Sequence, residues 1–456
     1  DFTYSDEWHL ATDGAGFSLV IVNPLAGTVA WGLAEGWRAS SSVNGSPGQD
    51  DAPPTSLQPV RVNELLSHPA GSATDWIELV NLAPTNVNIG GWFLTDDIQT
   101  PKKYRIPDGT ILPGNAYLVF NESQFGFGLS EYGEGAYVFA ADAGGTLSGF
   151  YHGFEFGGSP NGMSFGRYVN SQGEENFVLQ SANTPWAANA QPSVGPVVFA
   201  EVMYNPFTGL EEFIELENIT SEPVALYCTY TNEPGYGASA LTNTWRIRDG
   251  VDFDFPPGTV LPAGGLLLVV GFDPTTNAAQ VAAVRAQYNI PAGVPLYGPY
   301  DGKLSNEGES INLLSPDKPD VEGATITVPY VLRDRLAYGV IAPWPPEADG
   351  DGPSLQRYDR SVYGNDPTNW FGALPTAGKA NTFSPPTILH LALDGSSAVL
   401  TVSSASGRSY TLEYRDSLGT GSWTAVLPAV VASGPTATLT DTSVPAGQRF
   451  YRVRAQ

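Results

Sequence analysis

The sequence repeats itself, and this repetition restricts the fold more than any other feature. Residues 60–66 (VRVNELL) precede 75–81 (DWIELVN), and residues 198–203 (VFAEVM) precede 212–218 (EFIELEN). The two glutamates are equally far apart in both places, Glu64 to Glu78 and Glu201 to Glu215. In each copy an apolar run follows further on, residues 116–120 (AYLVF) and 266–270 (LLLVV). The repetition therefore predicts two copies of one β-rich unit.

Further anchors extend the repeat on its C-terminal side. Trp92 corresponds to Trp245, and residues 107–114 (PDGTILPG) correspond to 256–263 (PPGTVLPA). Proline fixes φ and glycine permits a tight bend, so this string favours a corner between strands. The second copy contains an insertion at residues 228–243.

The start of the chain matches the end of the second copy. Residues 344–355, from Trp344 to Leu355, align without gaps to residues 8–19, from Trp8 to Leu19. We therefore expect residues 1–50 to be the C-terminal part of a unit whose front part is absent. Such a fragment would expose strand edges and an apolar face. Either a strand of another chain covers them, or the fragment docks on a neighbouring domain.

Other segments have patterns of their own. Residues 387–456 contain short alternating runs separated by Gly, Ser and Pro, which predict a small β-sandwich. One helix is predicted over residues 277–288, where Ala, Val and Gln replace strand formers. Segments rich in Ser, Pro, Gly and Asp at 41–58 and 190–196 are typical of linkers, as is the segment 382–386.

The spaced anchors resemble the lamin-tail domain, an immunoglobulin-like β-sandwich, over residues 57–190 and 196–382. Residues 1–50 resemble part of a third copy, and 387–456 resemble a fibronectin-type sandwich. We therefore expect an all-β chain of tandem immunoglobulin-like β-sandwiches. The resemblance implies a binding or architectural module without known catalytic residues. The D-G-x-G-x-S-L ending is similar to endings in large secreted bacterial proteins, which implies a secreted or cell-surface location.

Composition excludes several classes of protein. The chain has 47 acidic and 21 basic residues, a net charge of −26, which argues against binding to phosphate backbones. No apolar run approaches the roughly 18 residues of a membrane span. The single cysteine, Cys228, rules out a disulfide framework and a cysteine-based zinc site.

No catalytic constellation is visible, so we do not expect an enzyme. Residues 162–166 (GMSFG) match the G-x-S-x-G string, but this serine recurs as Ser18 and Ser354 in strand-like endings. The four histidines, at positions 9, 68, 152 and 390, form no metal or catalytic motif. We expect them at the surface or in loops.

Two groups of residues are candidate ligand sites, one for calcium and one for a glycan. Glu347, Asp349 and Asp351 place oxygen ligands close together as calcium prefers, although such acids are ordinarily solvated turn residues. Tyr227 and Tyr230 in the insertion, together with Trp245, are the candidate contact surface for a glycan. A tryptophan at a repeat anchor also suits the core.

The repeated glutamates have a structural and a ligand-binding interpretation. If Ile77 and Leu79 face the core, alternation turns Glu78 to solvent or to a loop whose donors it accepts. The plainer interpretation is structural, and a shared ligand contact is the alternative.

Together these patterns predict a non-enzymatic extracellular structural protein that self-associates. It would be a filament or cell-surface subunit, joined head to tail through the N-terminal fragment. The alternative is an accessory region of a larger secreted enzyme that binds polysaccharide or cell wall.

Overall fold

The structure is a computed structural model, and strands dominate it. It describes residues 4, 8–9, 12, 16–25, 31, 36–51, 58–230, 241–322, 325–341, 343–350, 352–381, 386–404, 409–417, 422–432, 436–445 and 447–455. The chain divides into two compact units, Asp1–Lys379 and Ala380–Gln456. The prediction of an all-β fold built from immunoglobulin-like sandwiches is confirmed.

The first unit begins with a hairpin and continues into a first sandwich. Its strands are β1 (Phe17–Ile21), β2 (Trp37–Val43), β3 (Val60–Leu66), β4 (Trp76–Asn81), β5 (Val87–Asn88), β6 (Phe93–Thr95), β7 (Tyr104–Arg105), β8 (Ile111–Leu112), β9 (Tyr117–Asn121), β10 (Glu134–Ala141), β11 (Leu147–Phe156), β12 (Phe165–Val169) and β13 (Glu175–Leu179), with helix α1 (Glu122–Phe125) after β9. One sheet has the order β13-β12-β3-β4-β9, and the facing sheet β11-β10-β6-β7. Ile77, Leu94 and Val138 are fully buried in the core of this sandwich.

A second sandwich follows in the same unit. Its strands are β14 (Val197–Met203), β15 (Phe213–Asn218), β16 (Val224–Ala225), β17 (Tyr227–Tyr230), β18 (Leu241–Thr244), β19 (Arg246–Asp249), β20 (Val251–Asp254), β21 (Val260–Leu261), β22 (Leu266–Val270), β23 (Leu296–Tyr297), β24 (Asp301–Gly302), β25 (Gly308–Pro316), β26 (Asp320–Glu322), β27 (Thr325–Thr327), β28 (Tyr330–Gly339), β29 (Ser354–Arg357) and β30 (Trp370–Ala373). Helix α2 spans Ala278–Tyr288, and 3-10 turns span Pro346–Ala348 and Pro367–Asn369. The sheets have the orders β23-β22-β15-β14-β29-β30 and β24-β20-β19-β25-β28.

The proline-glycine corner has the same geometry in both sandwiches. Thr110 donates its backbone N–H to the Pro107 carbonyl over 3.2 Å, and Thr259 does the same to Pro256. The intervening glycines have φ of 78° at Gly109 and 86° at 258, a region that residues with a Cβ rarely adopt. The predicted tight bend is confirmed.

Helix α2 agrees with the prediction of a helical excursion at 277–288. The Asn277 side chain accepts from the Gln280 N–H at its N-terminus, and Asn289 ends it in a left-handed conformation. Val284 and Tyr288 are buried, and the Tyr288 ring lies 5.0 Å from that of Phe213. Neither helix in the described ranges combines the length and apolar content that crossing a membrane demands.

The hairpin β1-β2 packs on the outer face of the first sandwich. Alternation on β10 turns Ala136 and Val138 inwards, while Tyr137 and Phe139 point outwards. Phe17 of β1 is buried on this outer face, and its ring stacks on that of Phe139 at 6.3 Å. The apolar face of the hairpin is therefore covered within the chain, one of the two solutions that the sequence left open.

The second unit is a smaller sandwich of two three-stranded sheets. Its strands are β31 (Ile388–Asp394), β32 (Ser397–Ser403), β33 (Ser409–Arg415), β34 (Thr424–Val431), β35 (Thr436–Asp441) and β36 (Phe450–Ala455). The sheets have the orders β31-β32-β35 and β34-β33-β36. Leu400, Val402 and Leu412 lie in the core between them.

Candidate functional site

The repeated glutamates form two carboxylate pairs that are sealed from solvent. Glu64 on β3 lies directly opposite Glu78 on β4, and Glu201 on β14 lies opposite Glu215 on β15. All four residues are 0% exposed. A β-bulge lies just before Glu64 in β3 and at the matching place before Glu201 in β14. The same local backbone therefore presents both pairs.

In the first sandwich, a segment after β13 covers the pair. Glu64 accepts hydrogen bonds from the Ser164 hydroxyl over 2.6 Å and from the Thr184 N–H and hydroxyl over 2.9 and 2.8 Å. Glu78 accepts from Asn63 Nδ2 over 2.8 Å and from the backbone N–H of Trp186. The expectation that Glu78 points to a loop whose donors it accepts is confirmed.

The second sandwich repeats this arrangement. Glu201 accepts from the Ser354 hydroxyl over 2.5 Å and from the Thr376 N–H and hydroxyl over 2.9 and 2.6 Å. Glu215 accepts from the Gly378 N–H through Oε2, while its buried Oε1 has no hydrogen-bond partner within the described residues. In both sandwiches a serine hydroxyl, a threonine and a backbone N–H donate hydrogen bonds to the two glutamates. These bonds hold a segment from the C-terminal end of the sandwich over the carboxylate pair.

Burial raises the pKa of three of these carboxyls, those of Glu78, Glu201 and Glu215. Burial raises the pKa of Glu78 to about 7 against its hydrogen bonds from Asn63 and Trp186, and the nearby Glu64 adds to the rise. Burial, and then the charge of Glu201, raise the pKa of Glu215 well above its ordinary value. Burial therefore disfavours the charged form of Glu78 and Glu215, while their hydrogen bonds to the covering segment oppose that effect.

An asparagine fixes the corner of each sandwich in the same way. The Asn81 and Asn218 side chains are both fully buried at the ends of β4 and β15. Each Nδ2 donates to three backbone carbonyls, those of Thr85, Leu112 and Pro113 for Asn81 and those of Glu222, Leu261 and Pro262 for Asn218, over 2.8–3.1 Å. The repeat therefore preserves specific hydrogen bonds as well as apolar spacing.

In each sandwich a side chain of the facing sheet accepts a hydrogen bond from a backbone N–H of the bulged strand. The Val62 N–H donates to His152 Nδ1 over 3.0 Å, and the Phe199 N–H donates to Asp334 Oδ2 over 2.9 Å. Asp334 also forms a buried ion pair with Arg357 at 2.6 Å. His152 lies on strand β11 and not in a loop, and its partly buried ring also contacts Glu175 through Nε2 over 2.7 Å. Sequence reasoning missed both residues because the two copies use different side chains there.

The predicted glycan contacts do not form one exposed face. Tyr227 and Tyr230 are partly buried on β17, which pairs with β18. Trp245 is 6% exposed and lies in the core of the second sandwich, so its ring has little surface for stacking on a sugar. The plainer interpretation of Trp245 as a core residue agrees with this position. Most of the predicted insertion, residues 231–240, lies outside the described residues.

The predicted calcium ligands are only partly described. Glu347 lies in the 3-10 turn Pro346–Ala348, and Asp349 follows it and accepts from Asn205 Nδ2 over 2.7 Å. Asp351 lies outside the described residues. Nowhere in the described ranges do three His, Cys, Asp or Glu side chains come together as a metal site. The calcium site stays a prediction.

The serine strand of the N-terminal hairpin has one open edge. Strand β12 pairs with β13 and β3, and β29 pairs with β30 and β14, whereas β1 pairs within the described residues with β2 alone. Ser164 and Ser354 donate to a glutamate, but the Ser18 hydroxyl has no partner among the residues described. The hairpin therefore offers a strand edge that its counterparts have filled.

The comparison with known families agrees with this architecture. A family model for the lamin tail domain matches residues 53–150, which include β3 to β10 and the first carboxylate pair. No curated protein matches the sequence. The immunoglobulin-like lamin-tail match and the all-β sandwiches fit a module of the structural or binding class.

Proposed function

We propose that this chain is a non-enzymatic, secreted bacterial structural protein whose copies join head to tail through the N-terminal hairpin. The observation that carries the proposal is that one edge of β1 has no strand beside it in the part of the chain that the structure describes. Unpaired strand edges recruit further strands because every exposed N–H and C=O can pair with another chain. An edge strand of another copy is the occupant that we assign to it.

We further propose that residues 57–190 and 196–382 are tandem lamin-tail-type modules. The shared bulge, carboxylate pair and asparagine corner support this proposal, although the family match covers only the first of them. Two rigid sandwiches in one compact unit give a subunit that extends an assembly without chemistry of its own.

The backbone of β1 shows which amides are available to a partner. Val22 donates its N–H to Gly36 O over 2.8 Å, so the N–H groups of alternate residues point towards β2. Leu19 and Ile21 therefore direct their N–H and C=O groups to the open edge. A proline at Ile21 removes an outward N–H and keeps the pairing with β2.

The test is electron microscopy of the purified full chain and its variants. We expect ordered polymers from the natural sequence, loss of polymers on deleting residues 1–50, and the same loss for Ile21→Pro. The control Ile21→Thr keeps the N–H and should still assemble. Unchanged polymers from Ile21→Pro and from the truncated protein would refute the proposal.

Glycan binding is the second candidate function, favoured by the partial exposure of Tyr227 and Tyr230 on the β17-β18 hairpin. Aromatic rings stack on sugar rings, so binding on a glycan array should be lost in Tyr227→Ala and Tyr230→Ala. The buried Trp245 is excluded from this test because its substitution would damage the core.

A further inference from the structure

The edge strand β31 of the C-terminal unit leaves an apolar row uncovered. Leu389, Leu391 and Leu393 are 56%, 49% and 70% exposed. Leu391 pairs with Leu400 and Leu393 with Ala398, and both partners are fully buried in the core between the two sheets. Paired residues share a face of the sheet, so Leu391 and Leu393 lie on the face that forms the core. The opposite sheet does not extend over them, which leaves them exposed.

The backbone of the same strand is open. β31 pairs only with β32 in the described part of the chain. Asp394 and Ser397 flank the two-residue turn between these strands, and such a turn closes on a hydrogen-bonded pair. By alternation, the Ala392 N–H points to β32, while Leu391 and Leu393 direct theirs to the open edge.

The charge of the C-terminal unit favours a second copy of this chain as the partner of β31. Residues 380–456 contain five basic and four acidic residues, a net charge of +1, although the whole chain carries −26. Two copies of such an acidic chain repel each other most where the acids lie, and least at this unit. The unit combines near-neutrality with an open apolar edge.

We infer that β31 is an isologous dimer contact, in which two copies pair antiparallel about a two-fold axis at Leu391. This residue stands at the centre of Ile388–Asp394, so a two-fold axis there places residue 390 opposite residue 392 and brings Leu389, which lies in the β-bulge between Ile388 and His390, beside Leu393 of the second copy. The two leucine rows then continue one another across a six-stranded sheet. The contact is separate from the hairpin edge, because it lies in the other compact unit.

The pairing predicts a specific cross-link. Residues 390 and 392 direct their backbone groups away from the dimer partner and form non-hydrogen-bonded pairs across the axis, where side chains approach most closely. In a Cys228→Ser background, a mixture of His390→Cys and Ala392→Cys chains should form a mixed disulfide on oxidation. Each variant alone should cross-link at least tenfold more slowly, because like positions lie diagonally apart.

Sedimentation velocity on the full chain gives the second readout, in the Ile21→Pro background so that polymers do not obscure it. We expect a concentration-dependent species of twice the 48.4 kDa chain mass. Leu391→Lys should raise the dissociation constant at least tenfold, since two like charges then meet at the axis. Leu427→Lys, at a 77% exposed leucine on β34, should leave the constant unchanged.

Either a monomer at all concentrations without the mixed disulfide, or equal cross-linking by each cysteine variant alone, would overturn the inference. Polymers are scored separately in the natural sequence. Failure of the hairpin proposal therefore leaves the dimer result intact, and the converse also holds.

Discussion

The raised pKa of Glu78 gives the first sandwich a contribution to stability that is larger in acid than at neutral pH. Its folded pKa of about 7 lies above the ordinary value of 4.5, so the folded chain holds a proton that the unfolded chain releases. The resulting stability is fully present below pH 4.5 and is lost as pH rises through 7. Because protonation and folding are linked, the free energy of unfolding falls by about 2.5 kcal/mol between pH 5 and pH 8. This corresponds to a roughly 70-fold change in an opening equilibrium.

The substitution Glu78→Gln should abolish this dependence. Glutamine does not titrate, and it retains one carbonyl acceptor for the two donors that Glu78 serves, Asn63 Nδ2 and the Trp186 N–H. We expect the variant to be about 1 kcal/mol less stable than the natural sequence at pH 5. Above pH 7.5 the variant should equal or exceed it.

Hydrogen exchange followed by mass spectrometry measures the effect locally. The peptide covering residues 184–189 reports the segment that Glu78 fastens, and the opening free energy follows after correction for the intrinsic exchange rate at each pH. Glu307→Gln, at an exposed glutamate, is the matched control and should keep the slope of the natural sequence. Parallel slopes for the natural sequence and Glu78→Gln between pH 5 and pH 8 would refute the reasoning.

Two further substitutions test the internal fastenings. Asn218→Ala removes three hydrogen bonds to backbone carbonyls, so the second sandwich should lose roughly 2–4 kcal/mol in denaturant unfolding. A loss below about 1 kcal/mol would show that water replaces them. Asp334→Ala leaves the buried Arg357 guanidinium without its carboxylate partner. Thermal unfolding should therefore report a decrease of about 3–5 kcal/mol in the free energy of unfolding. An unchanged melting temperature would contradict this.

The sequence was most informative where residue spacing alone determines structure. Repetition of two short segments located β3, β4, β14 and β15, and the loss of strand formers located α2. Trp92 and Trp245, which correspond between the two copies, are both buried, as large side chains that fill the same space in each sandwich should be.

The partners of the glutamates could not be predicted from the sequence. Ser164 lies 100 residues from Glu64, and Ser354 lies 153 residues from Glu201. No periodicity reports which late segment returns to an early strand, since that depends on the topology of the closed sheet. The recurrence of the serine indicated a shared strand. Only the three-dimensional structure shows that its hydroxyl donates to a carboxylate.

The length of these connections supports the proposal that the serine strand of the hairpin is a point of assembly. Each sandwich closes only when its late strand returns to the glutamate strand, and the entropy cost of closing so long a loop is compensated by several hydrogen bonds made together. Strand β1 has the same serine and the same hairpin, with its apolar side already held by Phe139. Its open edge is therefore preorganised for pairing, so a second chain that adds a strand there loses its own freedom but does not have to order the hairpin.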